Sequence, residues 1–359
     1  MRIALIHQDL FFQGGEYVVA KLANGLAARG HEVHVIVSKV HLDIARKNPG
    51  AKPFALAQDV KFHVLPFRRA LLNIVPLAMM LWKMRPDVIM PNVGHYLQCS
   101  ILAKIIGLIR KPVVYVEHNF TGRTTSWFNR FSLNRCRKIV AVSEGVKSGL
   151  VAAGVQSDKV VRIYNPILSD KIEDGGIHPW LVGEHPFTFV SAGALTPGKG
   201  FATLIQAFRL VHEKVDNARL LIFGRGAQHN ELVQLIDGCN LNGVVELAGF
   251  SECLRKNMAS ADAFAFASQK ETFSIVLVEA LAAGLPIVSC DCPVGPREVL
   301  QDGALGQLVP VDDAGALAEA MLRVLRGEWK PTAKFDPSLY ENEAVINRYE
   351  QLLKEVVPV

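Results

Sequence analysis

Apolar runs and helical patterns alternate at the start of the chain. Residues 2–7 form a short apolar run that predicts a strand, and two adjacent glycines follow it. Apolar positions then recur with a helical period over residues 17–29, and Gly30 marks the end of this helix. Residues 31–37 predict the second strand. Strand, glycine-bearing loop, helix and strand in this order are typical of a Rossmann-like domain.

The alternation continues along the rest of the chain. Further apolar runs predict strands, some with the turn that follows, at residues 61–66, 86–90, 113–119, 139–144, 160–166, 187–193, 244–250 and 260–268. Residues 170–186 are rich in Asp, Gly and Pro and predict a linker. We therefore expect an α/β protein with two Rossmann-like domains, residues 1–168 and 169–340, and a final helical segment over residues 341–359.

Two carboxylates, Glu271 and Glu279, enclose a predicted helix start at Phe273 and Ser274. The backbone N–H groups of a helix N-terminus are suited to a diphosphate, whereas carboxylates accept hydrogen bonds from sugar and ribose hydroxyls. The pattern predicts a nucleotide-sugar site. The alternative is that both are ordinary surface glutamates on a helix that ends near Gly284.

Three motifs carry a resemblance to a known family. They are Gly-Ala-Leu-Thr-Pro-Gly-Lys-Gly at residues 193–200, the segment from Glu271 to Glu279, and Asp-Cys-Pro-Val-Gly-Pro-Arg-Glu-Val-Leu at residues 291–300. Together they resemble the retaining glycosyltransferases of the GT-B fold, family 4 (group 1), of the type that builds bacterial surface polysaccharides and lipid-linked oligosaccharides. The resemblance implies a cleft between the two domains and a C-terminal helix that packs back on the first domain.

The resemblance assigns roles to residues of this chain. It implies His118, Glu271 and Lys199 as catalytic residues. It implies a donor site formed by Gly15, Gly193, Val245, Phe273, Ser274, Ile275 and Glu279. We add Arg225 to this donor site from its charge, because the family more often has an acidic residue at that place. On the acceptor side it implies Gly14, Asn119 and Arg123. The expected donor is a UDP-sugar carrying a hexose or N-acetylhexosamine, and the expected acceptor is a lipid-linked (polyprenyl diphosphate) saccharide.

The neighbouring sequence supports the role of His118 and leaves a gap beside Lys199. His118 follows an apolar strand, at the strand end where open α/β sheets bind ligands, and could hydrogen-bond the sugar or stabilise charge at the reacting centre. Near Lys199, however, Ala194 stands where the family usually has an arginine. Arg225 or Arg297 could supply this second cation for the diphosphate.

Other classes of protein are disfavoured by missing residues. The dinucleotide fingerprint Gly-x-Gly-x-x-Gly is absent from the first loop. A P-loop would need Ser or Thr where Gly200 stands. The cysteines show no metal-binding or redox spacing, and no Asp-x-Asp pair is placed to hold a metal, so we expect neither a metal nor a cofactor. A GT-B epimerase and a nucleotide-sugar-binding protein without catalysis remain as alternatives.

Charge divides the chain into two unlike parts. Residues 1–165 hold 23 Lys and Arg against 9 Asp and Glu, whereas residues 166–359 hold 16 against 25. A basic half attracts polyanions, so we expect an anionic membrane surface as a partner. The basic apolar segments at residues 67–85 and 101–111 could dock on that surface or pack on the sheet as ordinary helices.

The expected location follows from the start of the chain and its apolar runs. The first residues lack the layout of a secretory signal, and the longest apolar run, residues 70–82, is too short to span a bilayer. We expect a cytoplasmic protein at the inner face of the cytoplasmic membrane. The basic aromatic stretch at residues 121–138 would also suit single-stranded nucleic acid, which we disfavour as a partner. No sequence feature specifies the oligomeric state.

Overall fold

The computed structural model describes residues 1–11, 14–47, 53–118, 126–169 and 175–357. The chain forms two compact units. Unit 1 comprises residues 1–167 and 338–359, and unit 2 comprises residues 168–337. The boundaries expected from the sequence, at 168 and 340, lie one and three residues further along the chain.

Unit 1 is built on parallel strands. Their bounds are β1 Arg2–Ile6, β2 Glu32–Val37, β3 Lys61–Val64, β4 Val88–Pro91, β5 Val114–Glu117, β6 Lys138–Ala141 and β7 Val160–Arg162. The hydrogen-bonded orders are β3-β2-β1-β4 and β5-β6-β7, and a parallel bridge between Ile89 and Val113 joins the two sets. Since β1 to β6 follow the order 3-2-1-4-5-6, this unit has the Rossmann topology.

Helices connect these strands. Their bounds are α1 Gly14–Ala28, α2 Lys39–Lys47, α3 Ile74–Met84, α4 Gly94–Ile105, α5 Trp127–Asn134 and α6 Glu144–Ala152. A 3-10 turn, Ala70–Asn73, leads into α3. The helix expected within residues 101–111 in fact starts at Gly94 and ends before Gly107, whose φ of 78° is left-handed backbone that glycine adopts at low cost. Arg110 and Lys111 therefore lie beyond it.

Unit 2 repeats the same topology. Its strands are β8 Phe187–Ala192, β9 Ala218–Phe223, β10 Val245–Gly249, β11 Ala263–Phe266, β12 Ile287–Cys290 and β13 Gln307–Val309. They pair in parallel in the order β10-β9-β8-β11-β12-β13. Its helices are α7 Phe201–His212, α8 His229–Gly238, α9 Leu254–Ala259, α10 Ile275–Ala282, α11 Pro296–Val299 and α12 Ala314–Leu325. The predicted fold class, two Rossmann-like α/β domains, is confirmed.

The last helix, α13 (Asn342–Val356), belongs to unit 1. It packs on α1, where a Cβ added to Gly25 would lie only 1.9 Å from Cδ1 of Ile346. Arg29 at the end of α1 donates to the Glu343 carboxylate at 2.6 Å. A side chain at position 25 would therefore require Ile346 to shift.

Candidate active site

In unit 1, polar residues meet where the strand order reverses. The chain passes from β1 to β2 on one side, and β4 lies on the other side of β1, so the carboxyl ends of β1 and β4 flank the switch point of the sheet. His7 and Asp9 follow β1, and Asn92 follows β4. Nε2 of His118, which follows β5, lies 3.3 Å from Oδ1 of Asn92. The predicted His118 is therefore placed at this switch point.

The start of α1 approaches the same place. Gly14 and Gly15 are the first two residues of this helix, and a Cβ added to Gly15 would lie 4.0 Å from Nε2 of His7. The other ring nitrogen of His7, Nδ1, lies 2.9 Å from the carbonyl oxygen of Asp9. The Asp9 carboxylate in turn accepts from the backbone N–H of Phe11 at 2.9 Å. The helix start therefore lies against a fixed histidine.

Glu16 adds a buried carboxyl group beside the two glycines. Its side chain is 8% exposed, and Oε2 has no hydrogen-bond partner within the part of the chain that the structure describes. Burial, with a smaller contribution from the charge of Asp9, raises the pKa of Glu16 to about 7. Near neutral pH this group can therefore either donate or accept a hydrogen bond.

Both histidines of the switch point are held neutral. Burial lowers the pKa of His7 to about 4. Burial, followed by the nearby His7, lowers the pKa of His118 to about 3. A neutral imidazole has one donor and one acceptor nitrogen, so these rings suit hydroxyl groups better than phosphate. Two predicted acceptor-side residues, Asn119 and Arg123, lie outside the described residues.

In unit 2, the predicted cation and the predicted carboxylate are in direct contact. Lys199 lies in a 3-10 turn after β8, and Glu271 follows β11, the strand next to β8 at the switch point. The Lys199 ammonium donates to Oε1 of Glu271 at 2.6 Å, and the two side chains are 31% and 10% exposed. An ammonium has three donors, so two remain for a second anion.

Backbone contacts hold the two loops together. Oγ of Ser268 and the N–H of Gln269 both donate to the carbonyl oxygen of Gly198, at 3.1 and 2.9 Å. The Gly193 loop is equally close to its neighbour, because a Cβ on Gly224 would lie 1.9 Å from the Gly193 carbonyl oxygen. The glycines of this predicted motif therefore allow the backbone to pack closely after β8 and β9.

The predicted diphosphate seat lies at the start of α10. This helix begins at Ile275, and its N-cap Ser274 has left-handed backbone, with φ of 77°. Phe273 is buried, and its backbone carbonyl oxygen would lie 3.0 Å from a Cβ added to Gly295. The buried Oγ of Ser274 has no partner among the described residues. Glu279 lies one turn into the helix, on the same face as Ile275. Ile275 and Glu279 therefore share one face of α10, and the assignment of a diphosphate to this helix start stays a prediction.

The two candidates for the second diphosphate cation, Arg225 and Arg297, differ in their surroundings. Arg297 is held by Asp291, and its NH1 lies 3.6 Å from Asp302. Arg225 is exposed, has no carboxylate partner among the described residues, and lies 5.9 Å from the ring centroid of Phe250. Its backbone carbonyl accepts from the N–H of Leu195 at 2.9 Å, beside the position of Ala194. Arg225 is therefore the better candidate for the missing arginine.

Val245 does not join the other predicted residues. It is the first residue of β10, pairs with Leu220 near the start of β9, and is buried in the core. All strands of the unit 2 sheet run in parallel, so their amino ends form one edge and their carboxyl ends the other. Val245 lies at the amino edge, whereas Lys199 and Glu271 lie at the carboxyl edge. The predicted strand over residues 244–250 already had Val245 near its amino end, and the donor role came from the family resemblance alone.

A cavity lies at the carboxyl ends of β9 and β10 instead. It has a volume of about 230 Å³, and its lining includes Phe223, Ala248, Phe250, Ser251 and Glu252.

Among the described residues, no group of three or more His, Cys, Asp or Glu side chains is arranged to hold a metal ion. Nor does any helix in the described ranges have the length and apolar character needed to cross a membrane.

Sequence reasoning missed four residues of the unit 1 site: His7, Asp9, Glu16 and Asn92. One signal could have found three of them, since His7, Asp9 and Asn92 are polar residues at or just after the end of a predicted apolar strand. Glu16 had no such signal. A glutamate in the first turn of an amphipathic helix is common, and only the packing of the helix start shows that it is buried.

Two Rossmann-like units, each with functional groups at its switch point, have the architecture of the GT-B fold. The family model for glycosyl transferases group 1 matches residues 178–341, and that for glycosyltransferase family 4 matches residues 12–171. Together these matches span most of the chain. The chain therefore belongs to the group 1 glycosyltransferases of family 4.

Individual proteins show the same likeness. An N-acetylgalactosamine-N,N'-diacetylbacillosaminyl-diphospho-undecaprenol 4-alpha-N-acetylgalactosaminyltransferase of Campylobacter jejuni is 27% identical over 88% of this chain and 87% of that protein. An exopolysaccharide phosphotransferase of Streptomyces coelicolor is 35% identical over 70% of this chain, which spans only 24% of that protein. The crystal structure of Anabaena HepE with UDP superposes with a TM-score of 0.78 at 18% identity, covering 99% of this chain and 100% of that one.

Proposed function

We propose that the protein transfers a hexose or N-acetylhexosamine from a UDP-sugar to a hydroxyl group of a lipid-linked saccharide, with retention of the anomeric configuration. The observation that carries this proposal is the contact between Lys199 and Glu271 at the switch point of unit 2. It pairs a cation with unused donors and a carboxylate, beside the start of α10. A diphosphate and sugar hydroxyls are the ligands that these groups recognise.

Different residues of unit 2 bind different parts of the UDP-sugar donor. Lys199, Arg225 and the amides of residues 273–275 bind the diphosphate and stabilise its charge as it leaves. Glu271 accepts hydrogen bonds from sugar hydroxyls, and Glu279 accepts them from the ribose. The UDP complex of HepE and the fold it shares with this chain support a uridine nucleotide as donor.

The residues of unit 1 serve the sugar and the acceptor. His118 and His7, both neutral, hydrogen-bond hydroxyl groups without attracting a second phosphate. In the reaction the bond between the anomeric carbon and the diphosphate breaks, and the acceptor oxygen bonds to the same face of that carbon. The diphosphate leaves with the electron pair, and the acceptor proton passes to its departing oxygen. This front-face displacement needs no carboxylate nucleophile, and we expect it to proceed without an added divalent metal.

The lipid-linked acceptor is proposed from two observations. The Campylobacter relative is named for a diphospho-undecaprenol acceptor and matches this chain over most of its length. In addition, the basic residues concentrate in the first half of the chain. An acceptor of this kind places the reaction at the cytoplasmic face of a membrane.

Substitution of the two glutamates tests the assignment. Glu279→Ala should chiefly raise the dissociation constant for UDP, measured by calorimetry. Glu271→Ala should chiefly lower kcat, measured as UDP release from a panel of UDP-sugars with a polyprenyl diphosphate saccharide, with and without EDTA. NMR of the product gives its anomeric configuration. Wild-type behaviour of both variants would refute the proposed donor site.

A further inference from the structure

The helix α3 exposes large apolar side chains along one face. In the sequence from Leu72 through Val75 and Met79 to Trp82, the spacing of three, four and three residues keeps all four on one side of the helix and of the turn before it. Their exposures are 57%, 57%, 56% and 68%, and the neighbouring Leu71 is 65% exposed. We call these five residues the α3 face.

Packing in the fold does not account for the α3 face. The opposite side of the same helix already fills the core, with Leu77, Ala78, Leu81 and Met84 buried. By contrast, α12 in unit 2 also buries an apolar side but exposes polar residues such as Glu319 and Arg323. A surface helix that is apolar on both sides indicates that its exposed side binds a second apolar surface.

The neighbouring helix also ends in exposed apolar residues. The starts of α3 and α4 are joined by a hydrogen bond of 3.3 Å from Asn73 to the hydroxyl of Tyr96. At the other end of α4, Ile105, Ile106 and Leu108 are 49%, 61% and 43% exposed. Exposed apolar residues thus occur on two helices that pack against each other.

The charged residues around the α3 face indicate what it binds. Residues 61–111 contain eight Lys and Arg and one acidic residue, Asp87, which is partly buried and accepts from the backbone N–H of Arg2. Arg69 and Lys83 border the α3 face and are exposed, and so is Arg68, although its guanidinium is paired with Asp43 of α2. A second copy of the chain docked symmetrically would bring these like charges together. Nucleic acid would gain little from exposed Leu, Val and Met side chains.

We propose that the α3 face inserts into the interfacial region of an anionic lipid bilayer, with the flanking lysines and arginines on the lipid headgroups. An interfacial helix binds a membrane through two contributions: burial of apolar side chains at the headgroup boundary, and attraction of neighbouring basic residues to anionic lipids. This inference deepens the proposed function, because a lipid-linked acceptor lies in a membrane. It is tested without any sugar nucleotide, so either proposal can fail alone.

Vesicle flotation is the first test. The full chain should float with vesicles of phosphatidylcholine and phosphatidylglycerol, and much less with phosphatidylcholine alone. The variant M79Q/W82Q should lose at least roughly tenfold in partition coefficient, since each side chain forfeits the transfer free energy of an apolar group. The variant R69Q/K83Q should lose roughly 30-fold on anionic vesicles at low salt and little at high salt.

A matched control uses exposed apolar residues of unit 2. The variant V182Q/V233Q removes side chains that are 62% and 46% exposed, and should bind vesicles as the wild type does. All variants change exposed positions, and circular dichroism with thermal unfolding reports that they are folded. An equal loss in V182Q/V233Q and M79Q/W82Q would overturn the proposal.

Fluorescence quenching locates the inserted residue directly. Brominated phosphatidylcholine in the anionic vesicles should quench tryptophan emission in the wild type, and Trp82→Phe should remove most of this quenching. Trp180→Phe, in unit 2, should leave it unchanged. The proposal is overturned if the wild type does not float with anionic vesicles, if Trp82→Phe is quenched like the wild type, or if M79Q/W82Q only converts a dimer into a monomer in size-exclusion chromatography.

Discussion

Units 1 and 2 share one topology but differ in the chemistry at their switch points. In unit 1 the groups at this edge are neutral rings and a buried carboxyl group whose pKa is raised to about 7. In unit 2 the same edge carries the charged pair of Lys199 and Glu271. The fold fixes where a ligand binds, and the local burial of titratable groups decides whether that ligand is neutral or anionic.

The largest effect is expected at Lys199, the residue that gives unit 2 its anionic preference. Lys199→Met should lower kcat by about 10²–10³-fold, because the variant lacks a fixed positive charge for the leaving diphosphate. It also leaves Glu271, which is 10% exposed, as an uncompensated negative charge. Lys199→Arg keeps the charge and should lose much less in the same steady-state assay. Unchanged turnover in Lys199→Met would show that the cation lies elsewhere.

A smaller effect is expected for Glu16, which makes unit 1 lose stability as the pH rises from about 4.5 to about 7. Its folded-state pKa of about 7 exceeds the ordinary 4.5, so the native state loses stability as pH rises through this interval. Glu16→Gln should raise the free energy of unfolding at pH 8 by up to about 3 kcal/mol and leave it unchanged at pH 4.5. Hydrogen exchange of β1 peptides measures this, with β8 peptides as the internal reference. A variant less stable than the wild type at pH 8 would contradict the assignment.

The histidines make unit 1 sensitive in the opposite direction. The unfolded chain protonates His118 near pH 6.5, but the native state resists protonation until about pH 3, so stability is lost as pH falls below 6.5. At pH 5 this costs about 2 kcal/mol, and His118→Gln should remove that dependence. His229→Gln, at an exposed position of unit 2, is the control in urea unfolding at pH 5 and 7. Identical pH profiles for His118→Gln and the wild type would refute it.

The smallest effect separates the two candidate arginines of unit 2. Arg225→Gln should weaken UDP binding roughly tenfold, as expected for the loss of a charge-assisted hydrogen bond. Arg297→Gln should change it little, because Asp291 already holds that guanidinium. Isothermal titration with UDP compares the two variants. The reverse order would assign the role of the missing arginine to Arg297.

The sequence predicted unit 2 better than unit 1, for a physical reason. The motifs around Lys199 and Glu271 depend on glycine turns and a helix start, which are local features, and the structure brings them into contact. The site of unit 1 depends on burial, which raises or lowers pKa values only after distant segments such as β1, β4 and β5 have packed. Val245 was misplaced because its role came from the family resemblance, although its place at the start of the predicted strand already indicated the amino edge of a parallel sheet.

The division of unit 1 into two stretches of chain has a consequence during synthesis. Unit 2 is continuous and can complete its fold as soon as residue 337 leaves the ribosome, whereas unit 1 waits for α13. Until then, the surface around Gly25 that contacts Ile346 stays uncovered, although all the strands of unit 1 have already been synthesised. A nascent chain stalled in this interval would present an uncovered apolar surface of the kind that chaperones bind.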